Sequence, residues 1–141
     1  MRIIGLYGHG SCGKSATLNI LKELLRRAGR PVSSKPHLRC EAPETFEYWG
    51  LIVCVAPAGD TKDIVEANVR YFRSKKCDVA ISSTRTRRGS CDALKEYAST
   101  EGTAVEWVQK SYEYNLCETI QTLCNQETAR FLLSLIDSVL V

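Results

Sequence analysis

Apolar residues gather in short runs along this chain, separated by segments with a helical period. Arg2 to Tyr7 is one such run, and Gly8-His9-Gly10-Ser11-Cys12-Gly13 closes it. Leu18, Leu21, Leu25 and Ala28 then recur on one face, with Asn19, Lys22, Glu23, Arg26 and Arg27 mostly opposite, which predicts an amphipathic helix. Gly29 and Pro31 stop it. Between Val32 and Gly50, punctuated by Pro36 and Pro43, two short strands are expected, near His37 to Glu41 and near Thr45 to Trp49. Leu51 to Ala56 is apolar on both faces, as a buried parallel strand should be, and Pro57-Ala58-Gly59-Asp60 ends it. A helix is expected from about Thr61 to Ser74, with Ile64, Val65, Val69 and Phe72 inward. Cys77 to Ser82 predicts a second buried strand, running into the basic loop Thr84-Arg85-Thr86-Arg87-Arg88-Gly89. Ser90 to Thr100 predicts a shorter helix closed by Gly102, and Thr103 to Gln109 the last strand. Asn115 with Glu118 three residues on has the form of a capping box opening a long helix. Its expected inward stripe is Leu116, Ile120, Leu123, Phe131, Leu135 and Val139.

Strands alternating with helices, and apolar on both faces, predict an α/β fold: a single doubly wound, three-layer α/β/α domain around a mostly parallel five-stranded sheet. The length of 141 residues fits one domain with a core of its own. With 44% hydrophobic and 25% charged residues the balance is that of a globular chain. The net charge of +3 gives no strong nucleic-acid signal. No apolar run approaches the roughly 20 residues of a membrane-spanning helix, so no membrane partner is expected. Ile3, Ile4 and Leu6 run straight into glycines, which does not read as a signal peptide. The seven cysteines include no C-x-x-C pair, so the expectation is a reduced, cytoplasmic protein without a disulfide framework or a zinc site.

The chemistry is concentrated in Gly8-His9-Gly10-Ser11-Cys12-Gly13-Lys14-Ser15, which matches G-x-x-x-x-G-K-[ST] at every fixed position. Glycines let successive N–H groups converge on one anionic ligand, and the helix that follows points its positive end at the same spot. Lys14 can reach the β- and γ-phosphates, and the Ser15 hydroxyl can ligate magnesium.

With this motif between a strand and an amphipathic helix, the chain resembles the P-loop NTPase superfamily. The resemblance covers the whole chain as a pattern of elements, but only residues 8–15 as a specific motif. It implies a P-loop after the first strand that binds ATP or another nucleoside triphosphate with Mg2+. Gly8, Ser11, Cys12, Gly13, Lys14, Ser15 and Ala16 would form the phosphate cradle. The superfamily also uses an aspartate at the end of another apolar strand to position the metal. Asp60 is the candidate beside Ser15, although it lies three or four residues beyond the strand and would equally serve to cap the next helix. GTP-specific members resemble one another in an N-K-x-D box, but here the corresponding place reads Ser83-Thr84-Arg85-Thr86, without support for guanine. No glutamate follows Asp60 directly, since Thr61 and Lys62 come next, unlike motor and transporter branches. What remains resembles the small nucleotide- and metabolite-kinase branch.

Arg85, Arg87 and Arg88 follow a buried strand, on the strand-end side where a doubly wound sheet binds ligands. Lys14, Arg85 and Arg87 are therefore the expected catalytic groups, stabilising charge on a transferring phosphoryl group. A solvated surface loop is the alternative. Cys12 lies inside the cradle, where a helix N-terminus and a lysine favour thiolate, though any small residue would serve there. Glu44, Phe46, Tyr48 and Trp49 belong either to an acceptor site or to a plain hairpin.

Two functions remain open. One is a small phosphotransferase or ATPase acting on a phosphorylated or hydroxyl-bearing acceptor. The other is a nucleotide-binding regulatory module with little turnover. The apolar residues near the C-terminal end, Leu132 to Val141, exceed one helix face and would suit either packing on the sheet or a homo-oligomer contact.

Overall fold

In a computed structural model of the protein, residues 1–9, 12–31, 41–86, 89–110 and 117–140 are described. Among them the chain forms β1 (Arg2–Tyr7), α1 (Lys14–Ala28), β2 (Arg30–Pro31), β3 (Glu44–Tyr48), β4 (Leu51–Ala56), α2 (Lys62–Lys75), β5 (Val79–Thr84), α3 (Gly89–Thr100), β6 (Val105–Gln109) and α4 (Glu118–Asp137). A 3-10 turn, Ser138–Leu140, ends the described chain. The architecture is α/β, with one mostly parallel sheet.

The strands run in the order β2-β3-β4-β5-β1-β6. β4, β5, β1 and β6 pair in parallel, while β3 is antiparallel to β4 and β2 antiparallel to β3. Among the described residues the sheet thus has six strands, one more than the five expected. The extra one is only two residues long, added where Pro31 lies opposite Phe46 just past α1. The expected strand near His37 falls outside the described residues but for its last residue, Glu41, which is a turn.

Side chains alternate across each parallel strand, because successive Cβ atoms point to opposite faces. Ile4, Leu6, Val53, Val55, Val79 and Ile81 pack with Leu18, Leu21 and Leu25 of α1 and Ala129, Leu132 and Ile136 of α4. Ile3, Cys54, Ala56 and Ala80 pack on the other face, with Val65, Val69 and Phe72 of α2 and Leu94 and Tyr97 of α3. Helices therefore cover both faces, and β5, buried along its whole length, is central.

Four expectations are corrected. Lys22 is not on the solvent face of α1 but 3% exposed, because its ammonium reaches the Ala42 carbonyl at 2.6 Å and Glu44 at 3.2 Å. The N-cap of α2 is Thr61, whose hydroxyl accepts from the Ile64 N–H, so Asp60 does not cap it. The N-cap of α4 is Cys117, without a side-chain bond, which leaves Glu118 as the first helical residue rather than half of a capping box. Asn115 and Leu116 lie outside the described residues. The inward face of α4 is Asn125, Ala129, Leu132 and Ile136, while Ile120, Leu123 and Phe131 are exposed. Asn125 turns inward because its side-chain oxygen accepts from the buried Thr17 hydroxyl at 3.4 Å.

Candidate functional site

The register aligns one end of the parallel sheet. Tyr7 is level with Thr84 on one side and Gln109 on the other, and Ala56 is level with Ser82. Everything that follows these strands (Gly8, Arg85, Lys110 and Pro57) therefore emerges along a single rim. β1 and β5 are neighbours, yet α1 leaves β1 for one face and α3 leaves β5 for the other. That divergence opens a crevice at the carboxyl ends of the two strands, the place where ligands bind in open α/β sheets.

Lys14 lies in this crevice. It is the first residue of α1, and its N-cap is Gly13, whose φ of 89° is left-handed backbone that glycine adopts without strain. The Lys14 Nζ donates to the Gly8 carbonyl at 2.6 Å and to the Thr84 carbonyl at 2.8 Å. The residue is 6% exposed, and among the described residues the ammonium has no carboxylate within ion-pair distance. Burial pulls its pKa below the ordinary lysine value, an effect that Cys12 and Asp60 counter and Arg85 reinforces. The crevice thus holds a cation that neutral carbonyls solvate and that is ion-paired with no carboxylate among the described residues, an arrangement suited to an anion.

The neighbouring backbone is close-packed. A Cβ on Gly8 would lie 2.2 Å from the Lys110 carbonyl and 2.9 Å from the Cys12 Sγ, so the turn out of β1 admits glycine alone. Cys12 is buried. Ser15 and Ala16 are exposed on the first turn of α1, and the Ser15 hydroxyl donates to the Pro57 carbonyl at 3.3 Å. Asp60 and Arg85 meet at the mouth of the crevice, with Arg85 Nε 3.3 Å from Asp60 Oδ1 and both side chains about half exposed. The structure thus gathers Gly8, Cys12, Gly13, Lys14, Ser15, Asp60 and Arg85 at one rim. Ser11 and Arg87 lie outside the described residues.

The rim also holds groups that lie outside the glycine-rich motif and the basic loop. Lys110, at the end of β6, is 2% exposed, and burial lowers its pKa as it does that of Lys14. Cys91, in the first turn of α3, donates its thiol to the Arg85 carbonyl at 2.7 Å. A lysine directly after the last apolar strand is the signal that marks Lys110. Cys91 carries none.

Trp49 is 73% exposed in the β3–β4 turn, at the opposite end of the sheet from this rim. Glu44 is bound to Lys22 and Arg26, and Phe46 is core. This segment forms the plain hairpin. An open groove of about 420 Å3 lies between α1 and α4 beside Ile20, Leu24, Arg27 and Arg130, and one of about 210 Å3 between α2 and α3. Both run along helix faces, away from Lys14.

No described helix is long and apolar enough to cross a membrane. Among the described residues no three His, Cys, Asp or Glu side chains converge as a ready-made metal cage. Comparison of the chain with protein-family models, with curated proteins and with solved structures gave no match, so function has to be argued from the chemistry of this rim.

Proposed function

We propose that the chain is a P-loop protein that binds a nucleoside triphosphate with Mg2+ and transfers or hydrolyses its terminal phosphoryl group. The observation that carries this reading is the buried Lys14 ammonium in the crevice between β1 and β5, held by two carbonyls and ion-paired with no described carboxylate, within a complete G-x-x-x-x-G-K-S motif. A phosphate entering there offers the ammonium an ionised acceptor in place of carbonyl dipoles, so hydrogen bonding is joined by the attraction of opposite charges. The first-turn N–H groups of α1 point the same way.

The donors fit magnesium in kind. Ser15 and Asp60 offer hard oxygen, and Mg2+ characteristically takes only one or two protein ligands, completing its shell with water and phosphate oxygens. When bound, the ion neutralises charge building on the phosphate oxygens. Lys14 binds the β- and γ-phosphates, and Arg85 supplies a planar guanidinium at the mouth of the site. The N-K-x-D position gives no support to guanine: Ser83 and Thr84 are buried strand residues and Arg85 faces Asp60.

The test is thermal unfolding with Mg·ATP. Ligand at about 100 times its dissociation constant stabilises by roughly 2.7 kcal/mol, and Lys14→Ala should lose most of that gain. An identical melting shift in both proteins would remove the reading.

Ile120, Leu123 and Phe131, exposed along one face of α4, favour a second reading, a nucleotide-dependent partner or self-associating module with little turnover. Saturable stimulation of ADP formation by a small hydroxyl or phosphorylated acceptor separates the two.

A further inference from the structure

The segment Pro57-Ala58-Gly59, between β4 and Asp60, belongs to no helix or strand, yet Pro57 and Gly59 are buried. Its carbonyls need donors from elsewhere. Three side chains supply them. Ser15 of α1 and Ser83 of β5 both donate to the Pro57 carbonyl, at 3.3 and 2.5 Å. Asn68 of α2, 5% exposed, donates through Nδ2 to the Ala58 carbonyl at 2.7 Å and to the Ser82 hydroxyl at 3.1 Å. Ser82 in turn donates to the Ser83 carbonyl at 3.0 Å. Gly59 closes the arrangement: a Cβ there would lie 1.7 Å from the Ser83 carbonyl, so the segment lies directly on β5.

We propose that Asn68 is a positioning residue for the metal side of the nucleotide site, acting through Pro57-Ala58-Gly59 on Ser15 and Asp60. The proposal rests on the phosphate-site reading above. An asparagine in the middle of an amphipathic helix sits where an apolar residue would pack more cheaply. Here its amide instead fixes the carbonyl next to the one that receives the Ser15 hydroxyl. With its proton held by Pro57, the Ser15 oxygen keeps its lone pairs for a cation. Two residues beyond Ala58 the same backbone delivers Asp60. Losing the Asn68 amide frees the segment at one of its anchors and shifts both oxygens, while Lys14, held from β1 and β5, stays where it is.

The test compares ATP affinity with Mg2+ and with excess chelator, by calorimetric titration of the whole chain. Wild type should bind Mg·ATP more tightly than metal-free ATP. In Asn68→Ala that ratio should fall about fivefold or more, as misplacement of a ligating group implies, with metal-free affinity within about twofold. Asn68→Leu keeps the volume but not the donor and adds no charge, so it should behave alike and serves if the alanine variant folds poorly. Ser83→Ala, which removes the other donor to Pro57, should follow the same pattern. Val69→Ala, a cavity in the same helix, should lower the melting temperature without changing the ratio. An unchanged ratio in a folded Asn68 variant overturns the proposal and leaves the phosphate-site reading standing. Wild type that binds no ATP at all overturns both, and that result is read before any variant is made.

Discussion

Lys22 and Glu44 form an ion pair of 3.2 Å in which the two side chains are only 4% and 10% exposed. Arg26 joins from the next turn of α1, 2.6 Å from the other Glu44 oxygen and stacked over the Phe46 ring. One carboxylate thus ties the helix that begins with Lys14 to the antiparallel side of the sheet.

Glu44→Gln should therefore cost stability out of proportion to its size. The change leaves shape intact but takes the Glu44 carboxylate away from two cations, one of them buried. Removing one partner of a buried pair costs about 3 kcal/mol, toward the low end of such losses because Lys22 keeps the Ala42 carbonyl. Urea unfolding should show a lower midpoint with an unchanged slope. A loss of only a few tenths of a kcal/mol would mean that the pair is solvated in solution.

A second tie joins the far end of β3 to α4. Tyr48 donates its phenol to Asp137 Oδ1 at 2.5 Å. Burial, then the Asp137 carboxylate, push the Tyr48 pKa up to about 12. An unfolded tyrosine ionises near pH 10. Between pH 10 and about 12 the unfolded state therefore holds fewer protons than the folded one, and stability falls as pH rises. Below pH 10 the contribution is fully present. Tyr48→Phe should be less stable than wild type by about 1 kcal/mol at pH 8, and the gap should close as pH climbs through that window. A gap that stays constant from pH 8 to pH 11.5 would show that the phenol ionises as freely in the fold as outside it.

The elements that sequence made legible are those whose pattern is local. β1, the glycine turn and α1 stand out because an apolar run, a break and a 3.6-residue period follow one another without interruption. β4 is legible because burial on both faces leaves no polar residue in Leu51–Ala56. β5 is displaced by two residues from Cys77–Ser82 to Val79–Thr84, because Ser83 and Thr84 look like loop residues until Ser83 is seen bonded to Pro57. The face of α4 is misjudged in part for the same reason, although Leu135 and Val139 do pack against the core. Asn125 is buried by a partner 108 residues away, and no window of sequence contains Thr17 and Asn125 together. The candidate site divides likewise: the motif residues are contiguous and readable, and Lys110 is marked by its place after the last apolar strand, whereas Asn68, Ser82, Ser83 and Cys91 acquire their meaning only when the strand ends meet.

The basic loop provides the sharpest test of turnover. Arg85 is paired with Asp60 at 3.3 Å, but with both side chains about half exposed such a bridge contributes no more than about 1 kcal/mol. The guanidinium is therefore cheaply released to a stronger acceptor. Under the proposed reading, a terminal phosphate offers that acceptor, and its pull grows as charge spreads over the oxygens in the transition state. Only interactions that strengthen in the transition state raise the rate, so Arg85 should bear on turnover more than on nucleotide affinity. Arg85→Ala should slow ATP hydrolysis or phosphoryl transfer by at least about tenfold, or roughly 1.4 kcal/mol, with ATP affinity changed less. Arg85→Lys should recover part of the rate, since charge returns without the planar fork. Asp60→Asn separates the two roles of the pair: it frees Arg85 but replaces the carboxylate with a neutral amide, so it should weaken Mg2+ dependence rather than mimic Arg85→Ala. Steady-state rates and ATP titrations on the three variants decide the matter, and an Arg85→Ala protein that turns over like wild type would reduce the pair to surface chemistry.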